Sequence, residues 1–126
     1  MNETLIIIGG FYNILLIIFH VLFWRIFNWQ EDLKTLTFLN KSTMQVLNIS
    51  ITLVFVIFAY ISFAHTNELL NTPLGNTLLA LISIFWFARA TQQVIFYKLK
   101  HWSSWAFMLF FSLGGVLYGI PIVYST

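Results

Sequence analysis

Cysteine is absent from the chain. That excludes disulfides, thiolate nucleophiles and cysteine-ligated metals, and leaves the redox compartment open. Charge is scarce: only 8% of the 126 residues are charged, with six Lys or Arg and four Asp or Glu. So few cations, mostly beside the ends of apolar runs, cannot make a nucleic-acid-binding stripe. Also missing are a phosphate-binding glycine loop, a nucleophile–base–acid set and metal-ligand spacing. His20, His65 and His101 lie too far apart along the spans to share a metal. No catalytic residue, metal, cofactor or nucleic-acid partner is expected.

Apolar residues are abundant instead. They make up 60% of the chain, and the mean hydropathy is +0.87. A soluble domain of this length cannot hide so much apolar surface behind so few charges. The composition reads as an all-α integral membrane protein, a single transmembrane domain over residues 1–126. A spanning helix needs about 20 apolar residues, and four segments qualify: Leu5–Trp24, Gln45–Ala64, Leu78–Tyr97 and Trp102–Ile122. The opening "MNETLIII" lacks a basic leader and a small-residue cleavage site, so it reads as part of a retained first helix. Thr72-Pro73 reads as an N-cap followed by proline at the first helical position. Pro121 reads as a helix terminator, and "LKTLTFL" as a short amphipathic segment along the headgroups or a solvated loop.

Basic residues set the expected direction. Arg25, Lys34 and Lys41 lie in or beside the first connection, 25–44, and Lys98 and Lys100 in the third, 98–101. The second, "HTNELLNTPLGN", has neither Lys nor Arg. The positive-inside rule then predicts a four-helix antiparallel bundle, N-out and C-out, with the first and third connections cytoplasmic. Trp24, Trp29, Trp102 and Trp105 fall where a cytoplasmic aromatic belt belongs. A bacterial inner membrane is the expected home.

With that direction, the most polar residues of three spans share one half of the membrane. At about 1.5 Å per residue, His20, Asn48, Gln92 and Gln93 fall roughly 5–9 Å inside the cytoplasmic boundary, and Arg89 about 12 Å. Arg89, Gln92 and Gln93 are expected on one side of the third helix. Gln45, Asn48, Thr52, Ala59 and Ser62 form a stripe on the second, and Asn13, Ile17, His20 and Trp24 one on the first. Such stripes should face protein, with residues such as Ile82 facing lipid. Because helical Cα–Cβ bonds tilt towards the helix N-terminus, Arg89 should lean towards the membrane centre. It has no acid at its depth, since Glu3, Glu31, Asp32 and Glu68 all lie in termini or connections.

A guanidinium among amides and an imidazole, without a carboxylate, reads as an anion receptor. The expected ligand-binding set is Arg89, Gln93, Gln92, His20, Asn48 and Gln45. The expected function is binding or translocation of an anionic ligand or lipid headgroup at a cytoplasmic-side pocket. The alternative is an accessory subunit that uses the same polar layer for contacts with a partner's helices. Gly115 and Gly119 form a GxxxG suited to close helix packing, within the chain or in a homo-oligomer. In length and number of spans the chain resembles the small multidrug-resistance exporters and the small fluoride channels. The acid those exporters carry in their first helix has no counterpart here, and the one-sided charge bias departs from the dual insertion common among the channels.

Overall fold

The computed structural model describes residues 1–124. Four helices in it are long and apolar enough to cross a membrane. They are α1 (Asn2–Val21), α2 (Phe38–Ala64), α3 (Pro73–Gln92, continued by a π-helical turn over Gln93–Tyr97) and α4 (Trp102–Val123). No strand occurs among the described residues. Two single turns, Phe23–Ile26 and Trp29–Asp32, and a 3-10 turn at Leu33–Thr35 fill the first connection. A six-residue helix, Thr66–Asn71, fills the second.

Capping chemistry explains where two helices begin. Thr72 Oγ1 accepts from the Gly75 amide at 2.9 Å, and Pro73 at the first position needs no partner for a missing N–H. Thr37 caps α2 by accepting from the Asn40 amide at 3.3 Å. Consequently α2 starts at Phe38, about two turns before the apolar span at Gln45. The stretch expected as one amphipathic segment is a 3-10 turn, a break, then the head of α2. At the far end α4 runs past Pro121 to Val123, and the proline is buried. It ends the helix two residues later than a strict terminator would.

The helices close-pack as α2 on α1, α1 on α4, and α4 on α3. Tyr12, Trp86 and Phe111 make the centre. The Trp86 ring lies parallel to Phe55 of α2 at 5.4 Å and to Phe111 of α4 at 6.1 Å, and meets Tyr12 of α1 edge-on at 5.0 Å. One indole therefore touches all three other helices. Ile82, expected to face lipid, is 3% exposed within this core. It follows Leu79 and precedes Trp86 on the inward arc of α3, which the uniformly apolar sequence there does not mark.

Small residues set the helix spacing. A Cβ on Gly9 would stand 2.6 Å from the Tyr118 ring, and one on Gly114 2.7 Å from the Tyr12 hydroxyl. Gly115 and Gly119 face α3: a Cβ would meet Phe87 at 2.6 Å and Ser83 Oγ at 3.0 Å respectively. Ser83 donates to the Gly115 carbonyl at 2.7 Å, tying the two backbones together.

Candidate functional site

Arg89 sits on α3 one turn beyond Phe85 and is half-buried. Its guanidinium carbon lies 4.4 Å from the centroid of Phe111 and 5.8 Å from that of Tyr97. Tyr97 is eight residues further on, a rise of about 12 Å in a regular α-helix. The π-helical turn at Gln93–Tyr97 winds that stretch more tightly along the axis, and Tyr97 reaches back to the cation.

Aromatic faces thus take the place of an acid. A cation–π contact is worth about 0.5–1 kcal/mol at an exposed site and about 2 kcal/mol or more when desolvated, and half-buried Arg89 lies between these limits. Cation–π attraction acts through the ring face and leaves the N–H edge of the guanidinium unused. Among the described residues no hydrogen bond or ion pair reaches the Arg89 side chain; the two ion pairs there are Lys34–Glu31 and His65–Glu68, both in connections. Phe111→Leu removes one aromatic face, and should lower stability in detergent by about 1–2 kcal/mol. The same change in an Arg89→Met background should cost clearly less, which a double-mutant cycle on melting would register.

The other residues expected at this site divide. Gln93 is 4% exposed, and its Nε2 donates to Ser104 Oγ of α4 at 3.3 Å. Ser104 in turn donates to the Lys98 carbonyl, and Trp105 Nε1 to the Leu99 carbonyl at 3.0 Å. Gln93 therefore serves the α3–α4 hairpin. Gln92 is exposed, so Arg89, Gln92 and Gln93 do not share one environment. Asn48 Nδ2 donates to the His20 carbonyl at 3.2 Å, pinning α2 to α1, while its Oδ1 is shielded and has no partner among the described residues. His20 Nδ1 lies 2.9 Å from the Leu16 carbonyl, which can only accept, so Nδ1 carries the proton. Its ring stacks on Phe23 at 4.4 Å and meets Phe55 edge-on at 5.0 Å. Gln45 is half-buried, and its side chain makes no hydrogen bond among the described residues. Trp24, placed in the interior stripe with His20, is exposed.

A second polar cluster lies deeper, formed by Asn13, Ser62 and Tyr118. All three are 0% exposed. Asn13 Nδ2 donates to the Gly9 carbonyl at 2.8 Å and to the Tyr118 hydroxyl at 2.9 Å. The Tyr118 hydroxyl is 2.7 Å from Ser62 Oγ, which is also 2.7 Å from the Phe58 carbonyl. One phenol thereby joins α1, α2 and α4. Asn13 and Ser62 belong to the stripes read from sequence; Tyr118, in an apolar run, carries no signal of its own. Tyr118→Phe should cost about 1 kcal/mol, the usual scale for a hydrogen bond inside a membrane protein. Adding Ser62→Ala should then cost less than it does alone.

Two clefts open at the other end of the molecule. One, of about 330 Å³, is lined by Glu3, Phe63 and the segment 64–68; the other, of about 670 Å³, by Asn2, the segment 70–73, Asn76 and Tyr124. Both lie by the chain start and the second connection, the larger also by the end of α4, and neither is lined by Arg89. No protein-family model, curated protein or solved structure matches the chain.

Proposed function

We propose that the four helices cross the bilayer as an antiparallel bundle with both termini outside, in a bacterial inner membrane, and that the protein is a non-enzymatic binder of an anionic ligand through Arg89. The observation that carries this is the guanidinium itself: half-buried, placed against aromatic rings, and among the described residues with no acid beside it and no acceptor on its N–H groups. Such an edge suits a phosphate, sulfate or carboxylate, which can accept two parallel hydrogen bonds from it. Gln93 Nε2 is held by the hairpin and Asn48 Nδ2 by α1, with one N–H each in use, so Arg89 carries the main part of the recognition.

Melting in detergent against a panel of anions tests this. The wild type should gain stability with at least one phosphate- or carboxylate-bearing anion, and Arg89→Ala should lose that gain while remaining monodisperse. Ile84→Ala is the control, since Ile84 is 61% exposed on the outer face of α3. Equal loss in both variants would count against the reading.

Orientation can be checked separately, because the chain has no native cysteine. In intact cells an impermeant maleimide should label Asn67→Cys in the second connection and spare Lys100→Cys in the third; the reverse pattern would invert the bundle. The accessory-subunit reading draws on Gln92, which is exposed and unpartnered among the described residues. Stoichiometric recovery of one membrane partner, lost in Gln92→Leu and retained in Arg89→Ala, would favour it.

A further inference from the structure

The contact between α2 and α3 is built differently from the other helix contacts. Their backbones lack the extended close packing that joins α1 to α2 and α3 to α4. They meet through rings instead: Phe55 with Phe85 and Trp86 at 6.4 and 5.4 Å, and Phe58 with Phe85 at 5.5 Å. On the side of Phe55 towards the first connection and the α3–α4 hairpin, no hydrogen bond or ring contact joins α2 to α3 among the described residues.

Helical spacing says what faces this opening. On α3, Arg89 and Gln92 follow Phe85 at i+4 and i+7, the same face. On α2, Ile51, Asn48 and Met44 precede Phe55 at i−4, i−7 and i−11. The aromatic rings floor a wedge whose α3 wall is cationic and polar and whose α2 wall is mainly apolar. Water-soluble anions gain nothing from an apolar wall, whereas a molecule with a charged head and hydrocarbon tails matches both walls.

We infer that this wedge is a lateral slot for one anionic phospholipid, its phosphate on the Arg89 N–H edge and its chains leaving between α2 and α3 along Met44 and Ile51. The inference rests on the anion reading of Arg89 and names its ligand. Charge complementarity selects the head: the slot holds a cation and no acid. The lateral opening selects a lipid over a free anion, since it faces hydrocarbon in a membrane-spanning bundle.

The test is native mass spectrometry of the full chain released from nanodiscs of equal parts phosphatidylglycerol and phosphatidylcholine. A parallel arm follows melting in detergent with inorganic phosphate. The wild type should retain one phosphatidylglycerol in preference to phosphatidylcholine. Arg89→Gln should lower that preference about tenfold, the effect of losing roughly one charged hydrogen-bonding pair. Ile51→Trp should lower it as much by filling the slot with the cation left in place. Met44→Trp, at an exposed position, provides the same block should Ile51→Trp fold poorly. Ile84→Ala should change nothing. A preference that survives both tryptophan variants, or Arg89-dependent stabilisation by phosphate without any lipid preference, overturns the slot and leaves Arg89 an anion site. A preference undiminished in Arg89→Gln overturns slot and site together and assigns the lipid to the lysines of the connections.

Discussion

Gly75→Ala should destabilise the protein by about 3 kcal/mol, the top of the usual range for overpacking, and lower its melting temperature by about 10 °C. The added methyl would stand 2.5 Å from Leu69 Cα and closer still to the Glu68 carbonyl. Those neighbours are backbone and have no rotamer by which to withdraw. The Glu68 carbonyl is held in place as well, accepting from the Thr72 amide at 3.1 Å and from Thr72 Oγ1 at 2.7 Å. Moving it breaks the contacts that also cap α3. Gly115→Ala is the comparison, because its methyl meets the outer edge of Phe87, a 45% exposed ring free to swing. It should cost less than about 1 kcal/mol. Equal losses at the two glycines would mean that the short helix 66–71 yields as readily as a side chain.

Trp86→Ala should cost about 3–5 kcal/mol, the range for emptying a buried tryptophan site. The indole is 0% exposed and touches three neighbouring helices, so its loss loosens α2, which has the least protein around it of the four. Trp86→Phe separates packing from hydrogen bonding. Trp86 Nε1 is shielded and has no partner among the described residues, so phenylalanine forfeits no hydrogen bond and restores most of the ring contact. Its cost should stay near 1 kcal/mol. A phenylalanine variant as unstable as the alanine one would mean that the indole N–H is bonded after all, to a buried water.

The four long apolar helices were legible in the sequence because about 20 apolar residues in a row have few other uses. Their phase was harder to read. Adjacent residues on a helix differ by about 100°, which is enough to bury Gln93 in the hairpin and leave Gln92 exposed. Apolar neighbours on every side of α3 gave no sign of which arc points inward, and Ile82 was misplaced for the same reason. Arg89 was conspicuous as a cation without an acid. Its actual partners, Phe111 and Tyr97, were hidden, because aromatic residues are common throughout these spans and the π-helical turn brings Tyr97 back by a route that 3.6-residue periodicity does not describe. Tyr118 escaped notice in the same way: its hydroxyl matters only through Asn13 and Ser62, which other helices supply.

The tie between α3 and α4 limits how the two helices can be arranged. Four residues, 98–101, reach at most about 14 Å, roughly half the hydrocarbon thickness. The end of α3 and the start of α4 therefore stay on one side of any membrane that the two helices cross. With Gln93, Ser104 and Trp105 clasping the link, a break introduced there should loosen both helices together, since each helix end is held through the other.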